Sequence, residues 1–383
     1  MTIRATPRIL LAPDSFKGCL IAMEVCLAIE KGLKKTLPEA TCDVCPLGDG
    51  GEGTLDVLLA QWPGGQLKPV RVTGPFPSQK VDAVYGWWPE SGIAVVEAAK
   101  ACGLPLVQEG PLRPLATTTF GVGELIGTAI DSGARTIILT VGGSATMDGG
   151  LGAARALGWR ALDSKGRDLD HGGGALIHLS KLCPPDDSWP CPMVVWHDVA
   201  NPLTGPSGAA AVFGPQKGAT PEQITTIEKG LCKLSSFFRE MTDDAIDNLP
   251  GGGAAGGLAA GMHAFFGAKL APGSGQIAAA VNLAERVSAC DWIITGEGCF
   301  DATSTQGKVV GTVAELVRKA GKPLALIAGS LKADAELIQA KIAVDIRTNA
   351  GSLQAAITHA TRYLEEAGGT VGNTICHMNA SQT

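Results

Sequence analysis

In residues 136–158, TIILTVGGSATMDGGLGAARALG, a short apolar run breaks at a pair of glycines and an alanine-rich stretch follows soon after. Ile137, Ile138, Leu139 and Val141 are too few for a helix but suit a buried strand, while Gly149, Gly150 and Gly152 surround the next helical start. A strand, a loop and a helix in so short a span make one βα turn. Between strand and helix, Gly142, Gly143, Ser144, Ala145 and Thr146 are small enough for backbone N–H groups to approach an anion, and two hydroxyls can add hydrogen bonds. Asp148 then sets a carboxylate beside that anion, which is repulsive unless a cation bridges them, so the loop predicts a metal-bound phosphate. The alternative is a tight turn with an aspartate at the helix N-cap.

The rest of the chain repeats this texture. Its 51 glycines are roughly double the usual share of about 7%. They cluster in short loops between apolar runs, which points to many strand-to-helix turns and an α/β enzyme. At 383 residues the chain exceeds what one core usually supports, so two domains are expected. The net charge of -6 and the scattered basic residues leave no footprint for nucleic acid. No apolar stretch approaches the roughly 20 residues needed to span a bilayer, and the first residues do not read as a signal peptide. A soluble, cytoplasmic protein follows as the expectation, and the eleven cysteines fit a reducing compartment. Cys42 and Cys45 have CxxC spacing, but in a strand residues three apart face opposite sides, and no second pair or nearby His completes a site.

In chain order, RILLA at 8–12 reads as a buried strand, and APDSFKG leads from it into a helix at about 20–36. Asp14, Ser15 and Lys17 thus stand at the carboxyl end of a strand, where open parallel sheets bind ligands. A strand at about 41–47 runs into Gly48-Asp49-Gly50-Gly51-Glu52-Gly53, ahead of a helix at about 54–61; Asp49 and Glu52 read either as helix-capping acids or as metal or substrate ligands. From about Leu67 the segments VRVTG, VDAVYGWW and GIAVVEAA suggest a more antiparallel sheet. A short strand at 193–196 ends at His197-Asp198, with Asn201 following; Asp198 suits a base, a metal ligand or a phosphate contact, and His197 a packed residue. Lys217 lies between glycines. A long amphipathic helix is expected at 221–246. The stretch 273–278 matches G-x-G-x-x-A, but Pro272 stands where a dinucleotide fingerprint requires a strand. Alternation then returns: DWIIT leads into Gly296-Glu297-Gly298, then Asp301, then Gly307-Lys308 opening a helix. PLALIAG, a helix from about Ala333, IAVDI and a helix at about 353–367 complete it. Residues 1–72 and 289–383 are therefore expected to form one discontinuous parallel-sheet domain, with 73–288 inserted as a second α/β domain and the substrates in the cleft between them.

Taken together, APDSFKG at 12–18, PLGDGGEGT at 46–54, TTTFGVGELI at 117–126, GGSATMDGG at 142–150, DVANPLTGPSGAAAVFGPQKGA at 198–219, GGGAAGGL at 251–258 and ITGEGCFD with the GK at 307–308 resemble the bacterial type-1 glycerate kinases over nearly the whole chain. The resemblance implies a two-domain α/β protein, one domain flavodoxin-like, that transfers the ATP γ-phosphate to D-glycerate with Mg²⁺, usually to give 2-phosphoglycerate. It leaves room for a homodimer. Asp14, Lys17 and Asp198 become candidates for catalysis. Ser15, Asp49, Glu52, Asn201, Lys217 and Asp301 become candidates for substrate binding, and Gly142, Gly143, Ser144, Ala145, Thr146, Gly296, Glu297, Gly298 and Lys308 for the ATP phosphates. Asp148, Asp198 and Glu297 are the candidate Mg²⁺ ligands. The family commonly has Asn where Met147 stands, Ser at Cys19 and Cys102, and Gln-Thr at Thr303-Ser304. Met147 removes a polar side chain from the anion loop, whereas Thr303 and Ser304 keep hydroxyls.

Phosphoryl transfer needs an anion cradle, Mg²⁺ ligands, cations near the γ-phosphate and a proton acceptor, and these residues supply each. No Walker A or protein-kinase signature occurs. A nicotinamide-dependent oxidoreductase would need a glycine fingerprint inside a strand-turn-helix unit, which neither GxG stretch provides. A non-catalytic binding protein would leave the six acids Asp14, Asp49, Asp148, Asp198, Glu297 and Asp301 without a purpose.

Overall fold

The computed structural model describes residues 6–107, 112–242, 245–305 and 307–380. The chain divides into two compact units. One comprises Met1–Asp49, Asp56–Gln61 and Ser274–Thr383, and the other Gly50–Leu55 and Trp62–Gly273.

The first unit is built on a five-stranded, all-parallel sheet in the spatial order Ile342–Asp345, Leu324–Ala328, Trp292–Glu297, Arg8–Leu11, Thr41–Val44. Numbered along the chain this is 2-1-3-4-5, the flavodoxin-like order, with its reversal between Arg8–Leu11 and Trp292–Glu297. Both of these strands are apolar runs because helices cover both faces of a doubly wound sheet. Helix Ala22–Thr36 packs on the last helix, Ala360–Ala380, over a core that includes Ile9, Leu11, Ile29, Ile294, Ile327, Leu364 and Val371. Each such aliphatic side chain contributes about 1.5–3 kcal/mol by burial. Helix Val309–Ala320 buries Val309, Val310, Val313, Ala314 and Val317, one stripe at helical spacing.

The second unit holds a six-stranded mixed sheet in the order Lys269–Pro272, Met193–His197, Thr136–Thr140, Ile93–Glu97, Lys80–Trp88, Gln66–Thr73. The first four strands run parallel and the last two join antiparallel. A separate antiparallel pair links Arg160–Leu162 to Lys181–Cys183.

The structure moves several boundaries. Strand Gln66–Thr73 pairs along its whole length with Lys80–Trp88, so it sits in the second unit and not with the residues up to 72. Residues 274–288 fall in the first unit. A strand, Lys269–Pro272, does precede the G-x-G-x-x-A stretch; it is a sheet edge, where a proline removes no ladder bond from a central position. The helix expected from about Ala333 is a single 3₁₀ turn, Ala335–Ile338, capped by Asp334. The last expected helix is two, Leu353–Thr358 and Ala360–Ala380. Helix Pro221–Thr242 covers most of its expected span, the remainder of which crosses Asp243 and Asp244, outside the described residues. Cys42 lies on strand Thr41–Val44 and Cys45 just after it; burial pushes both thiols up to about 11, which keeps them protonated and inert. Among the described residues no helix is long and apolar enough to cross a membrane.

Candidate active site

In the first unit, the reversal of strand order leaves a crevice at the carboxyl ends of the strands. Strand Arg8–Leu11 continues as Ala12-Pro13-Asp14, and the Asp14 N–H donates to the Gly296 carbonyl at 2.9 Å, so the acid is held by the neighbouring strand. Gly296 has no room for a side chain, since a Cβ would stand 2.1 Å from the Ile327 carbonyl oxygen. Phe16 is buried and anchors a tight turn, with the Leu20 N–H donating to its carbonyl at 3.0 Å. That turn presents Lys17, whose side chain is 64% exposed and whose Nζ donates to Asp49 Oδ2 at 2.6 Å, while the Asp49 carboxylate is buried.

The Asp14 carboxylate accepts from the Ser15 N–H at 2.7 Å and from its hydroxyl at 3.3 Å. Burial, and then the charge of Asp49, push its pKa up to about 7, against the opposing pull of Lys17 and the Ser15 N–H. Glu297 ends its strand; burial raises it too, and its Oε1 is buried with no hydrogen-bond partner among the described residues. Asp301 accepts from Thr303 through both backbone N–H (2.8 Å) and hydroxyl (2.6 Å), which lowers its pKa, and Lys308 donates to the same hydroxyl at 2.8 Å. Asp14, Ser15, Lys17, Asp49, Glu297, Gly298, Asp301 and Lys308 all line one cavity of about 350 Å³, whose remaining wall is Phe16, Cys19, Cys299, Gly329, Ile346, Leu353, Ala356, Ile357 and Ala360.

The other candidates belong to the second unit. Gly142 and Gly143 of the glycine loop reach the surface, but Ser144, Ala145 and Thr146 are buried. Gly142 lies against the backbone of the acidic loop, where a Cβ would be 2.5 Å from Gly51 Cα, and Glu52 stands exposed beside Gly143. Lys217, expected to meet a substrate, turns inward and is 4% exposed. Its Nζ donates to Ser144 Oγ at 3.2 Å and to the Thr146 carbonyl at 2.8 Å, and burial pushes its pKa down to about 8. Lys217 thereby braces the loop from behind. Met147 is fully buried in the apolar core, so the loss of a polar side chain there takes nothing from the loop's surface.

Asp148 stands two residues before Gly150, the N-cap of helix Leu151–Ala156, and accepts hydrogen bonds from both sides. Its Oδ2 accepts from the Thr119 N–H (2.8 Å), the Thr119 and Thr118 hydroxyls (3.1 and 3.3 Å) and the Gly152 N–H (3.2 Å), and its Oδ1 from the Gly150 N–H (3.2 Å). A carboxylate so engaged ties the threonine loop to the start of helix Leu151–Ala156. Asp148→Ala strands several buried donors and is expected to cost about 3 kcal/mol of stability, read as a lower urea midpoint at constant m-value. An unmoved midpoint would mean that the carboxylate is free for a ligand.

Asp198 and Asn201 follow strand Met193–His197, both half-buried; the Asn201 side-chain amide donates to the Ser207 carbonyl at 2.8 Å. His197 is buried against Gly251, and burial lowers its pKa, as a packed imidazole requires. Two features escaped the sequence reading. Glu97, 1% exposed, accepts from the Leu55 N–H at 2.8 Å, and two threonines of TTTFG, Thr118 and Thr119, serve Asp148. The second had a signal, since three consecutive hydroxyls before a helix are acceptor-seeking groups.

Comparison with known proteins places these features among relatives. The model of the glycerate kinase family matches residues 9–376. A glycerate kinase of Halalkalibacterium halodurans is 42% identical over 84% of this chain and 85% of its own length. A glycerate 2-kinase of Escherichia coli is 41% identical over 86% and 87%, and a glycerate kinase of Bacillus subtilis 39% identical over 94% and 95%. Among solved structures, a crystal structure described as glycerate kinase 2 from Salmonella typhimurium LT2 superposes with a TM-score of 0.82 at 37% identity, covering 99% of this chain and 100% of that one.

Proposed function

Since the chain belongs to the glycerate kinase family and is an enzyme of that activity, we propose that it transfers the γ-phosphate of ATP to D-glycerate, in the presence of Mg²⁺, and that the product is 2-phosphoglycerate. The observation that carries this reading is the cavity of the first unit, where buried acids and two lysines meet at the carboxyl ends of parallel strands. Phosphoryl transfer asks for little covalent help but much positioning and charge neutralisation.

The acids fit a magnesium ion of the kind that kinases use. Among the described residues no group of three His, Cys, Asp or Glu is assembled as a cage. Mg²⁺ commonly takes only one or two carboxylates and completes its shell with water and substrate phosphates. Glu297 offers a buried oxygen that no donor among the described residues satisfies, and it would hold the ion. When bound, Mg²⁺ supplies neutralisation of the charge on the phosphate oxygens. Lys17 and Lys308 provide protein cations at the same cavity, Lys17 on a turn anchored by Phe16. Asp14 takes the hydroxyl proton of the acceptor. Asp14, a catalytic candidate from the sequence, is held against a neighbouring strand with a pKa near neutrality, where a general base works best. In the second unit, Lys217 and Asp148 keep the glycine loop in shape, and Gly142 and Gly143 are its surface for an anion.

Incubation with ATP, Mg²⁺ and D-glycerate should form ADP in step with the acceptor, and ³¹P and ¹H spectra should put the phosphate on C2. ADP release indifferent to glycerate would sink the kinase assignment, while phosphate on C3 would correct only the position.

A further inference from the structure

Part of the lining of the first unit's cavity has a chemistry that glycerate cannot use. Every carbon of that acceptor carries oxygen, and burying such a molecule against aliphatic groups leaves polar atoms without partners. The cavity, at about 350 Å³, is also of a size that takes molecules well beyond three carbons. Its acids and lysines occupy one part of the lining; Phe16, Ile346, Leu353, Ala356, Ile357 and Ala360 make up another. Leu353, Ala356 and Ile357 are at i, i+3 and i+4 of helix Leu353–Thr358, so they share one helix face. Ala356 is buried, whereas Leu353 and Ile357 remain 57% and 44% exposed, an aliphatic surface open at the cavity.

We propose that this wall, Leu353, Ala356 and Ile357 with Phe16, Ile346 and Ala360, is the site for the purine base of the nucleotide, whose phosphates extend to the lysine and carboxylate end. The proposal rests on the ATP-dependent reading above and adds to it a place for the base. A nucleoside triphosphate joins a flat, weakly polar ring to a polyanion, and this cavity joins an aliphatic wall to Lys17 and Lys308. The position also follows from the topology, because the crevice at the reversal of strand order is where open parallel sheets accept nucleotides.

The test compares ATP with inorganic tripolyphosphate, which carries the phosphates without a base. Calorimetric titration with Mg²⁺ present is expected to show Leu353→Ser/Ile357→Ser losing about tenfold in ATP affinity, with tripolyphosphate affinity held within about twofold. Should the double variant melt early, Leu353→Ser alone, at the more exposed position, is expected to lose about threefold for ATP and nothing for tripolyphosphate. Unchanged ATP affinity in a folded variant, or equal losses for both ligands, overturns the proposal. So does a rise in the KM for glycerate with ATP affinity intact, which would put the acceptor on the wall. If wild-type protein phosphorylates glycerate while the variants keep their ATP affinity, only the base site is wrong; wild-type protein that binds no ATP overturns both.

Discussion

In excess EDTA the protein is expected to form less than about 1% of the ADP that it forms in Mg²⁺, and to regain its full rate once Mg²⁺ exceeds the chelator. The expectation follows from a charge count at one cavity. Among the described residues Asp14, Asp49, Glu297 and Asp301 face it with Lys17 and Lys308 as cations, and Lys17 is already shared with Asp49. ATP brings several further negative charges to that lining. Like charges of this kind are tolerable at close range only with a divalent cation between them. Because no three-ligand cage is assembled among the described residues, the chelator should leave the melting temperature unchanged. The ion then serves the substrate complex and not the fold. Full turnover in chelator would mean that the two lysines suffice.

Asp14→Asn should lower kcat by about 10² or more while leaving the protein folded. Asparagine keeps the shape of the side chain, and the backbone bond from residue 14 to the Gly296 carbonyl does not involve it. What disappears is the ability to take a proton. Burial and the Asp49 carboxylate raise the folded-state pKa to about 7, so a proton acceptor at this position gains competence as the pH rises through neutrality. The wild-type rate should therefore carry an acidic limb near pH 7 that the variant lacks. Stability runs the other way. A raised carboxyl pKa favours the folded state fully below the ordinary carboxylate range, and that contribution is lost as the pH climbs through about 7. Asparagine, which never ionises, should flatten this part of the stability profile. A variant within about threefold of wild type would hand the proton to Asp198 or to solvent.

Much of this site was legible before any coordinates, because it is written in short local units. RILLA followed by PDS, and DWIIT followed by GEG, each announce a strand that stops at an acid, and the carboxyl ends of parallel strands are where such acids meet. The direction of a side chain is another matter. Ser144 and Thr146 read the same in sequence whether they face an anion or an internal lysine, and only the fold brings Lys217 behind them. Asp148 likewise offers the same carboxylate to a metal as to the Thr119 N–H; what decides is that residues 118 and 119 come close. Strand Gln66–Thr73 shows the same limit at a larger scale. Its alternation marks it as a strand, while its membership follows from pairing with Lys80–Trp88, a partner that local pattern does not name. The aliphatic wall at Leu353 and Ile357 has no motif at all, since two exposed aliphatics on a short helix are ordinary until a cavity is seen beside them.

The central pairing of the first unit's sheet also sets a timetable for biosynthesis. The Arg8 N–H donates to an Asp291 carboxylate oxygen 283 residues further on, at the start of the strand that must slot in beside Arg8–Leu11. A ribosome adding about 5–20 residues per second needs on the order of 15–60 s to supply that partner. Throughout that interval the nascent Arg8–Leu11 and Thr41–Val44 pair has an open edge and an uncovered apolar face, the state most prone to mispairing. The second unit, almost continuous from Trp62 to Gly273, has all six of its strands before then. At that stage the second unit holds its full set of strands while the first still awaits three of its five, so mispairing during synthesis would fall on the first unit.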